Sequence, residues 1–312
     1  MKNDLIVKAN TLINASYNLE VSEQRLILMS IVQARNTETG IDAVTPLKIY
    51  AQDYAKQFNT TKETAYEVLK NAVNNLFERQ FTYRELDTDN KEIVTKSRWV
   101  SRISYKDSSG FLQITFSPDV VPLITRLEKQ FTSYYLNEIS NLSSKYSIRL
   151  YELLISWRVV GKASFSLSEF REKIGLSENE YLKMNDFKKR VLEPAIKQIN
   201  DSTNLIVKYE QLKDGRRISG INFFFKEKNV QKIKTVSTNR DPDTLDLFTK
   251  LTDKQISFFA KKLAYDPEFS SKNAKIGEEY SELENRLIDE MNNPEFVEKN
   301  ISFLKNIGFK NT

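Results

Sequence analysis

Leu205-Ile206-Val207-Lys208-Tyr209-Glu210-Gln211-Leu212 and Ile218-Ser219-Gly220-Ile221-Asn222-Phe223-Phe224-Phe225 flank the polar run Lys213-Asp214-Gly215-Arg216. Both flanks are rich in β-branched and aromatic residues. Asp-Gly between two such runs is a strong hairpin signal, because glycine accepts the positive φ of a tight turn. Working upstream, residues 185–200 have helical spacing: Phe187, Val191, Leu192, Ala195, Ile196 and Ile199 share one face at 100° per residue. Pro194 lies inside this stretch and predicts a kink or a break, since it lacks an N–H and crowds the preceding turn. Before it, residues 168–174 read as a short helix ended by Gly175, and Phe165-Ser166-Leu167 as a short strand. A strong helix over 144–160, ended by Gly161, leads into this unit. Strand, short helix, turn, longer helix and charged hairpin make a winged helix. Its second helix suits the major groove and its wing the backbone.

The same order occurs once before, over residues 46–117; the copy just described spans 164–227. Residues 44–50 read as a strand, 51–58 as a short helix and Asn59-Thr60 as the turn. Thr60 and Glu63 have capping-box spacing. The helix they open runs to about residue 79, with Ala65, Val68, Leu69, Ala72, Val73, Leu76 and Phe77 at core spacing. Residues 81–86 read as β, followed by the polar turn Asp87-Thr88-Asp89-Asn90. Residues 93–105 read as one long strand, Asp107-Ser108-Ser109-Gly110 as a turn and 111–116 as the return strand. Ser117-Pro118 opens a short helix. Residues 12–35 read as one short and one longer helix, with Ser22 capping the second. The expected fold is α+β, with two tandem winged-helix domains. Residues 1–125 form the first, for docking or dimerisation, and 126–228 the second, the main DNA reader. A polar linker covers 229–250. A helical tail covers 251–312, with short amphipathic helices over 252–264, 279–291 and 294–306.

The chain has 312 residues, 40% of them hydrophobic and 29% charged, enough for two cores and an appendage. No apolar run reaches the roughly 18 residues a membrane span needs, and the N-terminus does not read as a signal peptide. There is no cysteine and no histidine. Thiolate chemistry is excluded, and so are disulfides, cysteine–zinc sites and a nicking site built on His-hydrophobe-His. A cytoplasmic location fits. No tight carboxylate constellation suggests a metal, and Gly161-Lys162-Ala163 lacks the other residues of a P-loop. No cofactor, no catalytic residue and no membrane partner are expected. Net charge is +5, with +6 over residues 1–230 and −1 over 231–312. A basic body suits nucleic acid.

In the second long helix, Lys183, Asp186, Arg190, Glu193 and Lys197 oppose the apolar face, with Lys189 at its edge. Arg190 is the candidate base reader, because guanidinium matches guanine O6 and N7 bidentately. Lys188 and Lys189 suit phosphates. Lys213, Arg216 and Arg217 put positive charge on the wing. A solvated charged helix face is the plain alternative, and the basic wing downstream weighs against it. The first long helix shows Glu63, Thr64, Glu67, Lys70, Asn71 and Asn74 outward. Thr64, Lys70, Asn71 and Asn74 are candidate contacts, with Lys96 and Arg98 (beside Lys91 and Arg102) on the hairpin after it. Unequal halves are expected. Tyr146, Leu150 and Leu154, like Phe223 and Phe225, have core spacing rather than a stacking pattern. Ser302 and Lys305 match a Ser–Lys pair in letters only.

Three separated motifs carry a resemblance. They are Val7-Lys8-Ala9-Asn10-Thr11-Leu12-Ile13 with Gln24-Arg25-Leu26-Ile27-Leu28; Leu142-Ser143-Ser144-Lys145-Tyr146-Ser147-Ile148-Arg149-Leu150-Tyr151-Glu152-Leu153-Leu154; and Phe187-Lys188-Lys189-Arg190-Val191-Leu192-Glu193-Pro194-Ala195-Ile196 with Asn200-Asp201-Ser202-Thr203. Over residues 5–228 the chain resembles the iteron-binding plasmid replication initiators of bacteria. The resemblance implies two winged-helix domains related by pseudo-two-fold symmetry, in successive major grooves of one origin repeat. It implies melting of adjacent A·T-rich DNA and recruitment of the host initiator ATPase and replicative helicase. A dimer would repress the protein's own gene. Arg149 would then be structural or a phosphate contact. Two other readings remain: a repressor of the same fold without a replication role, and a DNA enzyme with a carboxylate metal site.

Overall fold

The computed structural model describes residues 4–40, 42–105, 110–125, 130–228, 253–275, 277–291 and 293–309. The chain divides into two compact units, Met1–Lys226 and Glu227–Thr312. The expected linker over 229–250 and the turn residues 107–109 lie outside the described residues.

The first unit holds two similar halves. The first half begins with strand β1 (Leu5–Ala9) and helices α1 (Asn10–Asn14) and α2 (Val21–Thr37). Strand β2 (Leu47–Tyr50), helices α3 (Ala51–Gln57) and α4 (Lys62–Glu78), and strands β3 (Gln80–Leu86), β4 (Glu92–Arg98), β5 (Val100–Tyr105) and β6 (Phe111–Phe116) follow. Helix α5 (Val121–Ile124) ends it. The second half repeats this opening with β7 (Phe131–Tyr135), α6 (Leu136–Ile139) and α7 (Lys145–Ile155). Then come β8 (Lys162–Ser166), α8 (Leu167–Lys173), α9 (Met184–Phe187), a π-helical turn (Lys188–Leu192), α10 (Glu193–Ser202), β9 (Leu205–Asp214) and β10 (Arg217–Glu227).

The two winged-helix sheets have one topology. Their strand orders are β2-β6-β5 and β8-β10-β9, so in each the last strand lies between the first and the middle one. The repeat is longer than its sequence signal, because β1, α1 and α2 correspond to β7, α6 and α7. β1 and β7 pair antiparallel with Leu5 opposite Tyr135, Val7 opposite Ser133 and Ala9 opposite Phe131. The first residue of each strand meets the last residue of the other. This register is compatible with a local two-fold axis through the Val7–Ser133 pair.

Helix α7 is central. Every residue from Tyr146 to Ile155 is buried, Ser147, Arg149 and Glu152 included. One hydrophobic cluster runs through both halves, from Ile6 and Leu26 to Leu154 and Phe223. Tyr146, Leu150 and Leu154 are in it, as are Phe223 and Phe225.

Several local expectations are corrected. Residues 93–105 are two strands, broken at the buried Trp99. Glu92–Arg98 pairs with Gln80–Leu86 as a separate hairpin, while Val100–Tyr105 joins the winged-helix sheet. A period-2 pattern is the same on both sides of the break, so it cannot announce one. The cap of α4 is Thr61, whose hydroxyl accepts from the Thr64 N–H, rather than Thr60. α2 is capped by a Glu20/Glu23 box two residues before Ser22. α7 stops at Ile155, and turns lead on to Gly161 at φ 68°. The helix expected to start at Ser117-Pro118 begins at Val121.

The second unit contains α11 (Asp253–Ala264), α12 (Pro267–Asn273), α13 (Tyr280–Glu290), α14 (Pro294–Lys299) and α15 (Ile301–Asn306). α12, capped by Asp266 with Pro267 in its first turn, has no counterpart in the sequence reading. The helix expected over 294–306 divides at Asn300. These helices share a core of their own, with Phe259, Leu263, Phe269, Leu283, Leu287 and Leu304 buried. No helix among the described residues is long and apolar enough to cross a membrane.

Candidate nucleic-acid interface

In the second half, the segment from Met184 to Ser202 is helical throughout, and Pro194 shapes it as a π turn. The Glu193 N–H donates to the Lys188 carbonyl, five residues back. Widening the helix there relieves the crowding of the proline ring against the preceding turn. The apolar face is as the spacing predicts: Phe187, Val191, Leu192, Ala195 and Ile199 are buried. Lys183, Lys189, Arg190 and Lys197 are exposed. Lys188 is half-buried, 3.7 Å from Glu193. The Tyr209 hydroxyl of β9 donates to Glu193 at 3.3 Å and ties the helix to the wing. Burial raises the Tyr209 phenol above its ordinary value, while Lys188 and Glu193 act in opposite senses.

β9 and β10 run out to a two-residue turn, Gly215-Arg216, where Gly215 takes φ 57°. Lys213, Arg216 and Arg217 are exposed at this tip. Arg190, Lys189 and these three form no ion pair with any described residue. Their charges are available to an external anion, and a duplex backbone presents one negative charge per roughly 1.7 Å of axis.

The first half differs. Asn71 and Thr64 are exposed on α4, but the Thr64 hydroxyl accepts from the Thr61 hydroxyl at 2.9 Å. The Asn74 amide turns back onto the Lys70 carbonyl. The Lys70 ammonium lies 5.1 Å from the Tyr105 ring centroid on β5. Lys96 is exposed on β4, opposite Thr82 of the separate hairpin. Arg98 donates to the Phe77 carbonyl at 2.6 Å and lies 3.3 Å from Glu78. A cation there complements the exposed carbonyls at the end of α4. Lys96 and Arg98 are therefore on an inserted hairpin, not on the wing; of the hairpin cations, Arg102 on β5 belongs to the winged-helix sheet.

Arg149 is structural. It is 1% exposed and its guanidinium is fully engaged. Nη1 donates to the Tyr17 hydroxyl at 2.6 Å and to Glu152 at 2.8 Å. Nη2 donates to the Ile13, Ala15 and Lys173 carbonyls, each at 3.0 Å. Glu152 also receives Lys8 at 2.6 Å and the Tyr134 hydroxyl at 2.5 Å. Burial alone would raise the Glu152 carboxyl. Lys8 and Arg149, with hydrogen bonds from Lys8 and Tyr134, outweigh it and hold the pKa at about 2. Burial lowers the Lys8 ammonium despite its contact with Glu152. Sequence reasoning flagged only Arg149 of this group; Lys8 in a strand carries no local sign of burial.

Comparison with known proteins places this arrangement. The family model of the initiator replication protein, WH1, matches residues 5–155, and that of the initiator Rep protein, WH2, matches 166–225. A replication initiation protein of Escherichia coli is 30% identical over 207 residues, covering 64% of this chain and 63% of that protein. The chain thus matches slightly under two thirds of this relative's length. The PI protein of Escherichia coli is 25% identical over 248 residues, covering 69% of this chain and 80% of that protein. The crystal structure of the Pi initiator protein in complex with iteron DNA superposes with a TM-score of 0.58 at 23% identity, covering 73% of this chain and 99% of that one. That likeness is one of fold.

Proposed function

Because the chain belongs, through residues 5–155 and 166–225, to the family of initiator replication proteins with WH1 and WH2 domains, we propose that it initiates plasmid replication by binding origin repeats in double-stranded DNA. The second half, residues 126–228, is the main reader. Arg190 contacts a base, and Lys183, Lys188, Lys189, Lys197, Lys213, Arg216 and Arg217 contact phosphates. The first half, residues 1–125, docks through Thr64, Lys70, Asn71 and Asn74, and carries self-association in the dimer. Lys96 and Arg98 are weaker candidates, Arg98 because α4 already holds it. Binding promotes melting of adjacent A·T-rich DNA. The host initiator ATPase and replicative helicase supply the ATP-driven steps, so this cytoplasmic protein needs no catalytic residue of its own.

The observation that carries this reading is the exposure of Lys189 and Arg190 on the long helix and of Arg216 and Arg217 on the wing that follows it, with no ion-pair partner among the described residues. In the relative of known complex, the bound ligand is iteron DNA. The test is a footprint on the DNA adjoining the gene. Protection of tandem repeats of about 20 bp, two helical turns each, beside an A·T-rich stretch is expected. Protection of a single inverted operator with no tandem repeats would favour a repressor instead.

A further inference from the structure

The group around Glu152 lies where the two halves of the body meet. Lys8 comes from β1 and Tyr134 from β7, the two strands that pair across the pseudo-two-fold axis. Tyr17 comes from the first half, Arg149 and Glu152 from the central helix α7. Lys8, Arg149 and Glu152 are 3%, 1% and 1% exposed. Arg149 grips the first half at the Ile13 and Ala15 carbonyls and the second half at the Lys173 carbonyl, with the same side chain. Lys173 is the last residue of α8, the first helix of the second DNA-docking pair. Further bonds cross the same junction: Ser16 Oγ donates to the Glu172 carbonyl at 3.0 Å, and Lys173 Nζ to Asn14 Oδ1 at 2.8 Å. Backbones approach so closely that a Cβ on Gly175 would lie 2.3 Å from the Tyr17 carbonyl oxygen.

Buried charges are an expensive way to hold a core together. Well-packed apolar side chains of similar volume do as well or better, and the attested use of buried polar groups is to select one arrangement among several. Apolar packing between the halves would tolerate small slides and rotations. A carboxylate fixed between two cations and the hydroxyls of Tyr134 and Tyr17, the latter donating at 3.1 Å, with one guanidinium bonded to three carbonyls, does not. The arrangement selected here is the placement of α8 and its partner helix relative to the first half.

We propose that Lys8, Arg149 and Glu152 are positioning residues that fix the distance and angle between the two DNA-docking helix pairs, and so set which separation of groove segments one molecule accepts. This rests on the reading that both halves dock on one duplex. Adding one base pair between the segments turns the second by about one tenth of a helical turn. A rigid body must then deform the DNA or lose contacts; a loosened one adapts.

The test uses the full chain and Lys8→Met, which removes the cation in excess and leaves the Arg149–Glu152 pair intact. Affinity is measured on the origin repeat and on versions lengthened or shortened by one and two base pairs between the two contacted segments. Wild type is expected to lose about tenfold or more per base pair, on the order of one mismatched contact, and Lys8→Met about threefold or less. A folded Lys8→Met protein with the wild-type profile would overturn the proposal. The chain has no cysteine, so Asn71→Cys with Lys197→Cys provides two unique spin-label sites on the two long helices. Without DNA, wild type should give a narrow distance distribution. Lys8→Met, or Asn14→Ala with Ser16→Ala if Lys8→Met does not fold, should broaden it; an unchanged width would also overturn the proposal. If wild type fails to distinguish the origin repeat from random duplex, the functional reading fails instead, and the label distances still judge the junction.

Discussion

Arg190 is exposed on the second long helix and forms no ion pair with any described residue, so DNA would not have to compete with the protein for it. Arg190→Ala should cost about 1–3 kcal/mol on the cognate repeat and relax specificity at one position. Equal losses on cognate and random duplexes, measured by titration at one salt concentration, would make it a phosphate contact only. Glu152 makes the opposite kind of prediction. Its folded pKa of about 2 lies below the ordinary value, so the charged form stabilises the fold. That contribution is complete above about pH 4.5 and is lost as pH falls through 2; its size is on the order of 3 kcal/mol. Urea unfolding of wild type should therefore weaken across this window. Glu152→Gln should already be destabilised at pH 7, by about 3–5 kcal/mol since it leaves buried cations uncompensated. Its unfolding should change less between pH 4.5 and 2. An equal acid response in both proteins would put the acid-sensitive group elsewhere.

Among the elements, the two long helices and their hairpins differ in the charge they expose. The second helix is followed at once by its wing, with Arg216 and Arg217 at the tip. In the first half an extra hairpin, β3–β4, separates α4 from its wing and takes Lys96 and Arg98 with it. Arg216→Ala with Arg217→Ala should lower affinity for all duplexes. It should also reduce the slope of log affinity against log salt by about 2, roughly 0.9 per lost phosphate contact. Thr64→Ala with Asn71→Ala should leave that slope unchanged and cost less affinity. A larger loss from the α4 pair would reverse the assignment of the main reader. This comparison belongs in the intact chain, because cutting at residue 125 would expose Lys8 and Tyr17 on one piece and Glu152 on the other.

At the scale of the molecule, the body and the helical tail have separate cores. Residues 241–312 carry 10 Lys/Arg and 14 Asp/Glu, a sign that phosphates repel. Truncation after Lys228 should leave affinity for the origin repeat within about threefold, roughly 0.65 kcal/mol, and leave the body's unfolding transition in place. Plasmid maintenance should fall if the tail recruits host replication proteins. Gel-shift, thermal unfolding and plasmid-retention measurements on the truncated protein decide this. A large loss of DNA affinity would refute the charge argument, and normal maintenance would remove recruitment as the tail's required role.

The sequence by itself determined the two units of short helix, long helix and hairpin and their order, but not β1, β7 or α12. Apolar residues at period 3.6 marked α4 and the helix from Met184 to Ser202, Asp214-Gly215 marked the second wing, and Pro194 marked a disturbed turn. Each of these is written within a few neighbouring residues, where backbone preference and the face to be buried decide conformation. The outward placement of Lys183, Lys189, Arg190 and Lys197 was legible for the same reason, since a basic residue opposite an apolar stripe faces outward. Only the tertiary structure decided which hairpin of the first half is its wing, because Trp99 breaks the run by being buried against Tyr17 and Phe81, partners remote in sequence or across a turn. It alone decided that β1 pairs with β7, and that Lys8 meets Glu152, 144 residues away. A lysine in a strand and a glutamate in a helix look like surface residues in any local window. Burial of such a pair depends on packing between halves that no local pattern records.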